Sequence, residues 1–225
     1  MRNAMTSFLV PALLWAPFPV NAQKLNPEEQ RIVASVDARV DEANQLLERF
    51  VNMPSATQNL AGVRQVGDVF QQEFAAPGFT TRWVGMPKEM QRAGHLVAEH
   101  PGKQGKRILL LGHLDTVIEG ERFRRNGTTA HGTGVNDMKG GDVILLFALK
   151  ALKALDAAER GAGDISYVAP YVAVLDGLGI MGEGSHAPGE TADLDSLAPA
   201  AQAHGAAALS PVAAELTPPM TECVC

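Results

Sequence analysis

The stretch from Arg107 to Gly141 restricts the fold most. Ile108 to Leu111 is an unbroken apolar run, the pattern of a strand buried on both faces of a parallel sheet. Gly112-His113-Leu114-Asp115-Thr116-Val117 follows at its end, then a polar loop, and Gly134-Val135-Asn136-Asp137-Met138-Lys139-Gly140-Gly141 opens a helix. In extended chain, His113 and Asp115 point to the same side. A neutral imidazole binds a metal through one nitrogen while a partner at the other fixes its orientation, and a carboxylate two residues on can supply that partner. Asp137 lies in a glycine-rich turn just before a helix, whose N-terminus tolerates an anion.

Around this stretch the pattern alternates helix and strand. Asn26-Pro27-Glu28-Glu29 combines an N-cap, a proline at the first helical position and an acid three residues after the cap. Val33, Val36, Val40, Leu47 and Val51 continue at roughly helical spacing, which predicts a helix ending at Met53-Pro54. A second amphipathic helix is predicted from Leu60 to Phe74, stopped by Pro77-Gly78. Phe79 to Val84 and His95 to Glu99 read as strands. Val143 to Leu155 is apolar nearly all round, as a helix buried against a sheet would be, with Lys150, Lys153 and Asp156 where it meets solvent. The expected class is α/β: a three-layer α/β/α sandwich with a mixed, largely parallel sheet. His95 and His100 belong to this framework, and His131 to a loop before Asp137.

The 225 residues suffice for one sizeable domain and not for two large ones. A net charge of −6 and 5% aromatic residues argue against a nucleic-acid partner. Residues 1–22 read as a secretory signal, with Arg2 ahead of a short apolar run from Phe8 to Phe18 and Val20-Asn21-Ala22 before the cleavage point. That run is too short to span a bilayer. The expectation is export to a periplasm or the cell exterior, with no membrane span. Cys223 and Cys225 are too close to pair well with each other and lack the second pair of a closed zinc site, so they read as part of a frayed tail.

Taken together, the apolar run, Gly-His-Leu-Asp-Thr-Val and Asn-Asp-Met-Lys-Gly-Gly resemble the zinc-dependent aminoacylase/carboxypeptidase family, most closely its glutamate carboxypeptidase (carboxypeptidase G-like) branch. The resemblance implies that His113 is a metal ligand, that Asp115 is the catalytic residue supporting it, and that Asp137 bridges two zinc ions. Gly161 to Ser166 resembles the family's glycine-rich substrate loop, and Val172 to Leu175 reads as a buried strand. Gly177 to His186 resembles the loop carrying the last zinc ligand, here His186, and Glu190 to Leu194 the lead into the final helix. The likeness therefore implies a truncated catalytic domain over residues 23–199, a deletion junction near 156–163, and no lid or dimerisation domain. The Ala/Pro-rich residues 200–225 are expected to be a disordered tail.

What the family does is hydrolyse an amide or peptide bond next to a carboxylate, using zinc-activated water on a small peptide or N-acyl amino acid. Its adjacent glutamates, one a general base and one a ligand, have no counterpart here, since the only Glu-Glu pair is Glu28-Glu29 in the first helix start. The general base is thus unassigned, with Glu159 and Glu183 the acids nearest the break and nearest His186. One or two zinc ions, weakly held, and little or no activity are expected, and dimerisation is not expected without the lid. Whether the chain is an enzyme stays open at this point. The alternatives are an inactive exported metal-binding remnant or an unrelated binding module.

Overall fold

A computed structural model describes residues 25–100, 110–154 and 180–209. The expected signal, the start of the central strand, the 156–163 junction, Glu159, the strand at Val172 to Leu175 and both cysteines lie outside the described residues.

The first predicted helix is two helices, α1 (Pro27–Asp37) and α2 (Val40–Val51). Asn26 Oδ1 accepts from the backbone N–H of Glu28 and Glu29, both at 2.9 Å, and Glu29 accepts in return from Asn26 N at 2.7 Å. This reciprocal cap satisfies donors that a helix start leaves open. The break at Ala38-Arg39 has neither glycine nor proline to announce it. Arg39 leaves helical geometry (φ −124°, ψ 10°), and the two short helices bury Ile32 and Val36 with Leu47 and Phe50 in one core.

α3 (Leu60–Ala75) packs its apolar face into that core, where Phe70 stacks on Phe50 with ring centroids 4.1 Å apart. Phe74 and Phe79 extend the row of rings, and His100 meets Phe79 edge-on. β1 (Thr80–Val84) and β2 (His95–Glu99) form an antiparallel pair beside α3. Trp83 of β1 lies against Gly67 of α3 and under the Arg64 guanidinium at 4.3 Å.

A second sheet follows. β3 (Arg124–Asn126) and β4 (Thr129–His131) form a hairpin across Gly127-Thr128, with Gly127 at φ 60°, a conformation that favours glycine in a two-residue loop. α4 (Lys139–Ala154) is buried along most of its length. β5 (Gly182–Glu183) and β6 (Thr191–Asp193) complete an all-antiparallel sheet in the order β3-β4-β6-β5. The β4–β6 pair sets buried Ala130 opposite buried Ala192, and it brings two segments distant in sequence side by side.

α5 (Leu197–Leu209) corrects one expectation. Residues 200–209, expected to be disordered, continue this helix. Alanine has the highest helix propensity, Leu197 and Ala201 are fully buried, and Gly205 sits so close to Ile32 that an added β-carbon would lie 2.7 Å from it. Lys150 also differs from expectation. Its ammonium is 2.8 Å from both Glu42 and Glu73, its side chain is 11% exposed, and it ties α4 to α2 and α3 instead of marking solvent.

Helices on sheets give the expected α/β class. Among the described residues the strand pairs are antiparallel, and parallel pairing is confined to the bridge between Ala56 and Thr116. No helix among the described residues is long and apolar enough to cross a membrane.

Candidate metal centre

Three loops meet at one carboxylate. The first carries His113 and Asp115 and is tied to the segment between α2 and α3 by the bridge from Thr116 to Ala56. Thr116 N donates to Ser55 O at 2.9 Å, and Thr57 N donates to Thr116 O at 3.0 Å. His113 Nδ1 lies 2.9 Å from the carbonyl oxygen of Asp115 and 3.4 Å from its carboxylate. Behind it, the Thr57 hydroxyl donates to Asp115 Oδ2 at 2.6 Å. The other ring nitrogen, Nε2, is 3.0 Å from Asp137 Oδ1. His186, on the loop between β5 and β6, contacts Asp137 Oδ2 through its own Nε2. One carboxylate thus faces an imidazole with each of its oxygens.

The electrostatics follow from this contact. The Asp115 carboxylate, helped by the Asp115 carbonyl, Asp142 and Asp137, raises the His113 pKa to about 9 against the opposing effect of burial. Reciprocally, His113 and then Thr57 hold Asp115 down at about 2. Without metal, His113 at neutral pH is therefore an imidazolium between two carboxylates. Any metal taking Nε2 must displace that proton, so affinity rises with pH.

The turn that presents Asp137 is fixed from two sides by buried charges. Lys139 is 1% exposed, and its ammonium donates to Phe50 O at 2.9 Å and Met53 O at 2.8 Å. These are carbonyls at the end of α2, where the helix dipole favours a cation. Burial pushes Lys139 down to about 8, with Asp142, Glu119 and Glu190 pulling it back up. On the other side, Glu190 is 2% exposed. Its Oε2 accepts from Gly134 N at 2.9 Å, and its Oε1 from Asn136 N and Asp137 N at 2.8 Å each. Gly134 holds φ +78° here, and a β-carbon on it would press on Thr116.

Asp142, in the first turn of α4, lies beneath Gly112, where an added β-carbon would collide with its carboxylate. Burial pushes Asp142 up to about 8, opposed by His113 and Lys139. Its Oδ2 has no hydrogen-bond partner among the described residues.

Do these residues fit the metal that the sequence motifs imply? Imidazole nitrogen and carboxylate oxygen are zinc donors, and a carboxylate with a histidine on each oxygen matches a bridging role. The set is short, however. Each side offers one nitrogen and one oxygen, whereas a catalytic zinc takes three protein ligands. Among the described residues, no group of three or more His, Cys, Asp or Glu is arranged to hold one ion. Glu183 lies exposed on β5, opposite Thr191. Sequence reasoning missed Glu190, Lys139 and Thr57. Lys139 and Glu190 stand inside quoted motifs, but their partners lie 53 to 89 positions away, so no local spacing reveals them.

No family model matches the chain. A 121-residue stretch is 32% identical to carboxypeptidase G2 of Pseudomonas sp. (strain RS-16), covering 51% of this chain and 29% of that protein. In structure, human carnosine dipeptidase 1 is similar with a TM-score of 0.52 and 18% identity, over 62% of this chain and 35% of that one. The chain spans about a third of the length of these two relatives.

Proposed function

We propose that this chain, which shares 32% identity over 121 residues with carboxypeptidase G2, is a partial catalytic domain of the zinc carboxypeptidase-like family of peptidases and aminoacylases, one that binds zinc and hydrolyses amides little or not at all. The observation that supports this reading is the Asp137 carboxylate with His113 on one oxygen and His186 on the other. In this proposal His113, Asp137 and His186 would hold the zinc, with the Asp137 carboxylate shared between the two histidines. Bound zinc would supply an ionised water and a polarised carbonyl. Asp115 holds the proton on His113 Nδ1, so that Nε2 is the nitrogen that would ligate once its own proton is displaced, and Thr57 keeps Asp115 in place.

A residue to take the proton from water is not assigned. The only adjacent glutamates, Glu28 and Glu29, cap α1. Loss of general-base catalysis alone costs about 10²–10⁴-fold in rate. The proposed ligand class is a small peptide or N-acyl amino acid carrying a carboxylate beside the amide. The proposal also includes export after removal of residues 1–22.

Calorimetry and an amide-hydrolysis assay on N-acyl glutamates test it. The expected outcome is weak zinc binding that His113→Ala removes, with no turnover above the buffer rate when zinc is added. Turnover that disappears in Glu159→Gln or Glu183→Gln overturns the inactive reading and names the base. For export, intact-mass analysis of the expressed protein should show loss of residues 1–22, and a product retaining Met1 refutes that part.

A further inference from the structure

We infer that Glu190 is a positioning residue that sets the spacing between Asp137 and His186 and, through it, the metal affinity of the site; the inference rests on the metal-binding reading above. Glu190 sits four residues after His186 on the same loop, yet its carboxylate is spent on the opposite one. It accepts three backbone N–H groups within four residues, Gly134, Asn136 and Asp137 itself. The two loops are stitched further by Gly132 N donating to Glu190 O at 3.2 Å and Asn136 Nδ2 donating to Ser185 Oγ at 2.7 Å. A movement of Glu190 therefore moves the backbone of Asp137 relative to that of His186.

The choice of residue type follows from the donors. All three partners are N–H groups, and only a carboxylate offers acceptors alone. Glutamine would turn an NH2 group toward at least one of them. An anion this deeply buried is tolerated because each oxygen takes charge-assisted bonds. His113, by contrast, takes its orientation from Asp115 and not from Glu190.

The test uses the full chain, with Glu190→Gln as the near-isosteric change. Zinc affinity by calorimetry should fall about tenfold or more, the effect typical of residues that orient ligands. In the folded, zinc-free variant at fixed pH, the imidazole NMR resonances of His186 should move further than those of His113, which Asp115 still holds at Nδ1, a pattern that general loss of stability would not produce. Where the parent binds zinc, a folded Glu190→Gln with parental affinity overturns the inference. Where the parent binds none, the metal-binding reading fails, and the ring resonances alone decide, with an unmoved His186 signal overturning the positioning role. Should Glu190→Gln and Glu190→Asp both fail to fold, amide exchange in the parent decides instead. The N–H groups of Gly134, Asn136 and Asp137 should then exchange as slowly as those inside α4, and exchange at the rate of an exposed loop overturns the inference.

Discussion

His113 and His186 meet the same carboxylate, but the chain holds them by different means. Side chains brace His113. Asp115 fixes the ring at Nδ1, Thr57 fixes Asp115, and Asp142 lies beneath Gly112. His186 is held by where its backbone goes. Its side chain is 55% exposed against 42% for His113, its φ of +67° lies in the left-handed region, and Glu190 anchors its loop from four residues away. The contrast separates two tasks that a ligand needs done. Ring orientation can be set within three residues of sequence, whereas loop placement requires a contact across the fold.

Four measurements would break or sharpen that contrast. The largest effect belongs to the group both halves share. Asp137→Ala should lower zinc affinity by more than about a hundredfold, beyond the 10–100-fold that supporting residues contribute. His113→Ala should follow it and His186→Ala should cost less, as read by calorimetry. Equal losses for the two histidines would erase the distinction between the halves.

The next effect is one of pH, and it belongs to the His113 half alone. The Asp142 pKa rises from an ordinary 3.8 to about 8 in the folded, zinc-free protein. The folded state thus keeps a proton that the unfolded chain has released, and stability falls as pH rises from about 4 to 8. The slope is at most about 1.4 kcal/mol per pH unit. Chemical denaturation of Asp142→Asn across that range should show a flatter profile. What decline persists between 6.5 and about 9 belongs to His113, whose folded pKa is raised and whose contribution is lost across that window. A profile unchanged by Asp142→Asn would remove Asp142 from the account.

Lys139 lies under both halves, so its loss should not discriminate between them. Lys139→Met strips the buried carbonyls of Phe50 and Met53 of their donor and should destabilise the fold by about 2 kcal/mol. Unfolding free energies equal to the parent's would show that water or a shift of α2 replaces the ammonium. The smallest effect is expected from Thr57→Val, which removes one hydroxyl from Asp115 and should cost about 1 kcal/mol or a few-fold in zinc affinity. If it also weakened a His113→Ala background by the same factor, Thr57 would not be acting through His113.

What could be read in the sequence was what neighbours in sequence determine. The Asn26-Pro27-Glu28-Glu29 cap starts α1 as its residues require, and β2 runs over His95–Glu99 as its composition predicts. The break between α1 and α2 was not legible, because Ala38-Arg39 carries no turn chemistry and the core on either side decides it. Nor was the run of α5 past Pro199, where an alanine-rich sequence suits a loose tail as well as a helix until Ile32 and its neighbours cover one face. At the site, the motifs named His113, Asp137 and His186, and the fold brings these three into contact. Their metal role is the proposal made above. Glu190 and Lys139 illustrate the limit: a buried charge earns its place through partners that only tertiary structure supplies.

The pairing of β4 with β6 has one more consequence. Ile180 returns against Gly140 at the N-terminal end of α4, while the chain leaves α4 at Ala154. The described chain therefore leaves at Ala154 and returns at Ile180 from two points that α4, the sheet and the Glu190 contacts hold in place. The cost of joining two fixed points grows only logarithmically with the length of chain between them, about 0.6 kcal/mol for each doubling. Residues inserted between Ala154 and Ile180, by evolution or by hand, should therefore change the stability of the site little.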